Sequence, residues 1–169
     1  MQSATPTKNI VLEQAIIQRK LRRMALQVAE QNADEEEIIV AGINGNGTVV
    51  AKTLIDELHK VSSIATSFVT IQINKREPGE VQLQPLIELK GKVILLVDDV
   101  ANTGKTMLFA LKPFLHTTPK KIQTLVLVER SHKLFPVQTD YTGLSIATTL
   151  QEHITVETDG EKITGAYLH

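Results

Sequence analysis

Apolar residues recur along this chain with two periods, one helical and one of strands, and the two alternate. Between Leu12 and Gln31 they fall at Ile17, Leu21, Met24 and Val28. Steps of 4, 3 and 4 residues put all of them on one face of an amphipathic helix. The acidic run from Asp34 to Glu37 predicts a solvated turn, and Glu37 to Ile43 a buried strand. Thr48 to Lys60, with Val49, Leu54 and Leu58 in register, predicts the next helix. Ser67 to Asn74 sets Val69, Ile71 and Ile73 against Phe68, Thr70, Gln72 and Asn74, the alternation of a half-exposed strand. Val93 to Val97 and Gln123 to Val128 are continuous apolar runs, read as strands buried on both faces. Thr106 to His116 predicts the helix after the first of these. Near the end, Ile154 to Val156, Asp159-Gly160 and Ile163-Thr164 predict a β-hairpin on an Asp-Gly turn. Strands separated by helices imply right-handed crossovers, so the expected fold is α/β, a mostly parallel sheet with helices on both faces. The small C-terminal hairpin is expected either to extend that sheet antiparallel or to belong to a lid.

Composition narrows the picture without redirecting it. No repeat, low-complexity tract or long linker divides the 169 residues, so a single domain over 1–169 is expected. With 42% hydrophobic and 22% charged residues the chain is of ordinary globular make-up. It has no cysteine, which excludes disulfides and thiolate zinc sites. The five histidines are scattered without metal-ligand spacing, and no protein-borne metal site is expected. No apolar run approaches the roughly 20 residues of a membrane helix. The opening MQSATPTKN lacks the apolar core of a signal peptide, so a cytoplasmic protein without membrane contact is expected. The net charge of −1 provides no global field for nucleic acid. Arg19, Lys20, Arg22 and Arg23 form a basic patch on the first helix, the usual mark of a solvated face.

The chemistry concentrates between Ile94 and Thr106, ILLVDDVANTGKT. An apolar strand ends abruptly in Asp98 and Asp99, at the carboxyl edge where open α/β sheets bind ligands. The next turn, Thr103-Gly104-Lys105-Thr106, opens a helix, whose free N–H groups suit a phosphate. Two carboxylates beside a phosphate nest fit a sugar phosphate, its diol on the acids and its phosphate on the turn. A P-loop would need glycine at position 99, where Asp99 stands, and a carboxylate in a triphosphate cradle is costly. A solvated acidic pair at a strand end leaves unexplained why two repelling acids are packed together. Gly42-Ile-Asn-Gly-Asn-Gly47 is a second loop between strand and helix. Its glycines permit close approach of an anion, although a tight turn using Asn44 or Asn46 accounts for the same pattern.

The 94–106 stretch closely resembles the phosphoribosyl-pyrophosphate (PRPP) motif of the type I phosphoribosyltransferases. The resemblance implies that Asp98 and Asp99 hold the ribose hydroxyls as the catalytic pair. It implies that Val100, Ala101, Asn102, Thr103, Gly104, Lys105 and Thr106 complete the ribose and 5′-phosphate site. Asn44, Gly45, Asn46 and Gly47 take the place of the pyrophosphate loop. Leu12-Glu-Gln-Ala, Glu129-Arg-Ser-His-Lys and Asp140-Tyr-Thr-Gly are similar to one branch, the bacterial pyrimidine-operon attenuation regulators that are also uracil phosphoribosyltransferases. That likeness spans nearly the whole chain. It assigns Arg130, Ser131 and His132 to the nucleobase side, against a plain exposed loop for His132. It implies Mg2+ bound mainly through PRPP, a nucleobase or nucleoside monophosphate as partner, and a homodimer or higher homo-oligomer.

The chain also departs from the branch. The pyrophosphate loop carries Asn44 and Asn46 where a Lys or Arg is usual. Asn74-Lys-Arg-Glu-Pro-Gly79 replaces a Tyr-Arg-Asp-Asp-like opening of a long mobile loop, and the remainder of that loop looks short. Lys75 and Arg76 are the candidates for the missing positive charge. Gln138 and Leu144 stand where the branch tends to carry basic residues on a surface associated with RNA, so RNA is the less favoured partner. The leading expectation is transfer of a phosphoribosyl group to a nucleobase, most of all uracil, with release of pyrophosphate. The alternative is a catalytically weak or silent nucleotide sensor of pyrimidine metabolism, with RNA binding as a further option.

Overall fold

The computed structural model describes residues 7–169, and most of the N-terminal stretch MQSATPTKN, judged not to be a signal peptide, lies outside them. The order of elements is β1 (Asn9–Glu13), α1 (Gln14–Gln31), β2 (Glu37–Ile43), α2 (Asn46–Val61), β3 (Ala65–Ile73), β4 (Val81–Gln84), β5 (Val93–Ala101) and α3 (Lys105–Ala110). A 3-10 turn (Lys112–His116), β6 (Lys121–Arg130), β7 (Tyr141–Ile146), β8 (Ile154–Asp159) and β9 (Lys162–Leu168) complete it. Six strands form one sheet in the order β4-β3-β2-β5-β6-β7. All neighbours are parallel except β4, which runs antiparallel to β3 at one edge.

The sheet is covered on both faces, as the alternation of elements predicts. On one face α1 and α2 bury Leu21, Met24, Val28, Leu54 and Leu58 against Ile38, Val40, Leu95 and Leu127. On the other, Met107, Ala110 and Phe114 pack with Ile39, Ala41, Ile94, Leu96 and Val126. Strands β2 and β5 sit centrally with nearly every side chain buried, which is why they read as unbroken apolar runs. In α2 the core-facing residue is Val50, and Val49 is half-buried.

The terminal hairpin does not extend this sheet. β8 and β9 join β1 in a separate three-stranded antiparallel sheet, ordered β1-β9-β8, that roofs the carboxyl edge of the large sheet. Asp159 pairs with Lys162, so the turn residues are Gly160-Glu161, one position beyond the expected Asp-Gly, and Gly160 supplies the positive φ of 61°. The expected helix from Thr106 to His116 is in fact two pieces. Pro113 near the start of the 3-10 turn has no N–H to continue the α-helical ladder. Strands β1, β4 and β7 have no counterpart in the periodicity reading. Among the described residues no helix is long and apolar enough to cross a membrane.

Candidate active site

The site begins with a strand that does not stop where its apolar run stops. Asp98 and Val100 remain paired with Val126 and Val128 of β6, so both acids are held on extended backbone at the sheet edge. Asp98 is buried, 2% exposed, while Asp99 is half-buried. One oxygen of each is pinned locally: the Asp99 amide donates to Asp98 Oδ1 (2.9 Å) and the Val100 amide to Asp99 Oδ1 (2.8 Å). Burial, and then the charge of Asp99 next to it, pushes the Asp98 carboxyl well above its ordinary 3.8. Lys75 opposes the shift, its Nζ 3.4 Å from Asp98 Oδ1.

The next turn is braced from behind. The Thr103 carbonyl accepts the amides of both Leu134 and Phe135 (3.0 Å each), and Thr103 Oγ1 accepts the Lys105 amide (3.2 Å). Gly104 enters the left-handed region, φ 85°, to start α3. Among the described residues no carbonyl accepts from the amides of Thr106 and Met107, in the first turn of that helix. These donors, with the Thr106 hydroxyl, are what an anion would meet.

A cleft of about 230 Å³ lies over this strand and turn. Its floor is Asp98 to Gly104 with Thr106 and Met107, its roof is Ile154, Thr155 and Val156 of β8, and Asn46 and Lys75 close the sides. Two asparagines fasten the roof. Asn102 exchanges hydrogen bonds with the backbone of Ile154, donating through Nδ2 (3.3 Å) and accepting through Oδ1 (3.4 Å). Asn46 donates to the Val156 carbonyl (2.8 Å) and accepts from the Thr158 hydroxyl (3.1 Å).

The second loop meets the first through a glycine. A Cβ at Gly47 would stand 2.9 Å from Asp98 Oδ1 and 3.1 Å from the Val97 carbonyl, so only glycine lets α2 start this close to the acid. Asn44 is turned the other way: its amide donates to Ile71 and its Oδ1 accepts the Ile73 amide, prolonging the β2–β3 pairing. Asn44, Gly45 and Gly47 do not line the cleft, and neither do Lys105 and Arg76.

Arg130, Ser131 and His132 stand at the end of β6, on the same sheet edge but outside the cleft lining. Arg130 is buried and committed to the loop before β8, donating to Thr148 Oγ1 (2.6 Å) and the Thr149 carbonyl (2.9 Å). His132 is exposed. The basic patch on α1 is partly structural. Lys20 and Arg23 donate to the Thr142 and Gly143 carbonyls of β7.

The roof residues Ile154 to Val156 and Met107 escaped the sequence reading. Ile154, Val156 and Met107 are visibly apolar and Thr155 is not, but only the second sheet brings β8 over β5, a contact between residues more than fifty apart.

The chain's resemblances agree with this geometry. The phosphoribosyl transferase domain model matches residues 8–159. The bifunctional protein PyrR of Clostridium novyi (strain NT) is 34% identical over 160 residues, covering 88% of this chain and 89% of that protein. The protein of the same name from Clostridium acetobutylicum is 31% identical over 89% and 90%. Among solved structures, the hypoxanthine phosphoribosyltransferase of Trypanosoma cruzi superposes with a TM-score of 0.75 at 14% identity, over 93% of this chain and 95% of that one. A hypoxanthine-guanine phosphoribosyltransferase from Bacillus anthracis gives 0.69 at 23%, over 82% of each. At such identities the solved structures speak for the fold, whereas the domain match and the relatives above 30% speak for descent. The chain belongs to the phosphoribosyl transferase domain family.

Proposed function

We propose that this protein transfers the phosphoribosyl group of PRPP to uracil and releases pyrophosphate. The observation that carries the reading is the single cleft shared by a buried acid, its half-buried neighbour and a helix-opening turn with free amides. In this reading Asp98 and Asp99 accept the ribose hydroxyls, and the turn from Thr103 to Thr106 holds the 5′-phosphate. The C1–oxygen bond to pyrophosphate breaks as a ring nitrogen of the base attacks C1, through an oxocarbenium-like transition state of the kind general to glycosyl transfer. The protein's part is positioning and electrostatic stabilisation of the departing charge. Arg130, Ser131 and His132 serve the base side, Arg130 by holding the loop that leads into β8.

The donor set at the cleft is all oxygen. Among the described residues no three acidic or histidine side chains converge, so Asp98 and Asp99 fit Mg2+ only with ligand oxygens and water completing its shell. Held in that way, the ion would supply charge neutralisation for the pyrophosphate. One phosphoribosyltransferase unit spans the chain, working in the cytoplasm as a homodimer whose mass light scattering would show.

The test is pyrophosphate release with PRPP, Mg2+ and uracil. Release that disappears in Asp98→Asn/Asp99→Asn supports the transferase. A second reading, a nucleotide sensor with little turnover, is favoured by one observation: Asn44 and Asn46 spend their side chains on the protein itself. It predicts uridine monophosphate binding without pyrophosphate release.

A further inference from the structure

The base side uses the middle of Glu129-Arg-Ser-His-Lys133 and leaves its two ends over. Those ends close on each other. Lys133 Nζ donates to Glu129 Oε2 (2.8 Å), with both side chains only 15% exposed. Thr139 Oγ1 donates to the same oxygen (2.6 Å) and shares a hydrogen bond with the Thr142 hydroxyl (2.8 Å). One carboxylate at the end of β6 therefore grips the connection to β7 at two points, while Asp140 is tied to the Thr124 amide (2.8 Å) at its far end. Core packing does not fix this connection, because none of the residues from Ser131 to Asp140 is buried and Phe135 and Val137 are only half-buried.

The residues directly after Lys133 are the ones that brace the anion turn. Leu134 and Phe135 both give their amides to the Thr103 carbonyl. A Cβ at Gly104 would stand 3.3 Å from the Phe135 carbonyl and 3.4 Å from Lys133 Cδ, so the lysine stem itself lies against the turn. We infer that Glu129 and Lys133 are positioning residues for the 5′-phosphate: their pairing holds Leu134 and Phe135 on Thr103, and so fixes where the Thr106 and Met107 amides point. This rests on the reading of that turn as the phosphate site, and it sets the turn's affinity from side chains outside the cleft lining. With the pair broken, the Thr103 carbonyl loses the hold on its two donors and the peptide before Gly104 is free to rotate. An anion site whose donors must first be ordered binds more weakly than one already arranged.

Nuclear magnetic resonance titration of the intact protein with uridine monophosphate and, separately, uridine tests this, since the two ligands differ only by the phosphate. Lys133→Met is expected to weaken uridine monophosphate binding by about fivefold and to leave uridine binding unchanged. In the unliganded variant the amide signals of Thr106 and Met107 are expected to move while those of Asp98 and Asp99 stay. Lys133→Arg, which keeps the charge and the donors, is expected to restore most of the loss. Unchanged uridine monophosphate affinity in Lys133→Met overturns the inference, as do equal loss of both ligands and unmoved Thr106 and Met107 signals. Each of these leaves the phosphate reading standing if the wild-type protein prefers the monophosphate. Wild-type protein that binds uridine monophosphate no better than uridine overturns both.

Discussion

The turn from Asp98 to Thr106 and the loop from Gly42 to Gly47 lie at the ends of neighbouring strands; each lends an asparagine to the roof, and they differ in what else faces the cleft. The first is braced from outside, by Leu134 and Phe135 on the Thr103 carbonyl, and keeps amides and a hydroxyl facing the cleft. The second turns inward, with Asn44 joined to β3 and Asn46 to β8. A glycine-rich loop is thus not a ligand loop by composition alone. What matters is which donors remain after the protein has satisfied its own backbone. Here the second loop contributes Gly47, whose lack of a side chain admits the Asp98 carboxylate, and Asn46, which latches the roof.

That contrast is broken most severely at the point where the two regions touch. Gly47→Ala sets a methyl group against Asp98 and against the Val97 carbonyl, which cannot give way. The expected result is destabilisation by about 1–3 kcal/mol, read by denaturant titration, with loss of ribose 5-phosphate binding. Retained binding and stability would mean that α2 shifts freely against β5.

Asp98 sharpens the comparison with a gain in stability. Its folded carboxyl titrates well above the ordinary 3.8, because burial and Asp99 disfavour its charge. A group raised in the folded state contributes stability below about 3.8, and that contribution is lost as pH rises through the folded value. At pH above its ordinary value, burying this acid is therefore a burden kept for function. Asp98→Asn is expected to raise Tm by about 2–4 °C at pH 7, equivalent to ~1 kcal/mol, and to weaken ribose 5-phosphate binding. At low pH the gain disappears. Scanning calorimetry at both pH values checks it, and a lower Tm at pH 7 would contradict the assignment.

The two asparagine latches come next in size. Asn46→Ala and Asn102→Ala each remove two part-buried hydrogen bonds to β8, worth about 0.5 kcal/mol per bond. Hydrogen exchange should rise in β8 and β9 and leave β2 and β5 unchanged. Uniform exchange across both sheets would show that the roof and the large sheet open together.

The smallest effect lies behind the turn, at Glu129. Burial raises its carboxyl, but hydrogen bonds from Lys133 and Thr139 outweigh it and hold the group below its ordinary 4.5. Its stabilisation is present above about 4.5 and fades as pH falls through the lower folded value. Glu129→Gln should flatten the acid limb of the stability profile there, and an unchanged limb would place the titration elsewhere.

The same division governs how much of the molecule was legible in the sequence. Strand β2 occupies Glu37–Ile43 as its apolar run predicts, and the stripe of α1 buries Ile17, Leu21, Met24 and Val28 as spaced. Those elements declare themselves because one local pattern meets one continuous core. The motif from Ile94 to Thr106 was equally legible, although β5 runs on through the acids to Ala101, since strand pairing with β6 outlasts the apolar run. The missing strands are ones whose identity is made by distant partners. β1 looks like the start of a helix until Asn9 to Glu13 pair with β9. β7 carries Gly143, where a Cβ would lie 2.2 Å from the Leu127 carbonyl, so it has no clean alternation to read. The commitments of Asn44, Asn46 and Arg130 were hidden for the same reason, because a side chain's partners across the fold leave no mark on spacing.

The most direct measurement is a crystal structure with uridine monophosphate bound. The account predicts the phosphate on the amides and hydroxyls of Thr103 to Thr106, both ribose hydroxyls on Asp98 and Asp99, and the base beneath β8. A phosphate seated instead on the loop from Asn44 to Gly47, or ribose hydroxyls away from the acid pair, would contradict it.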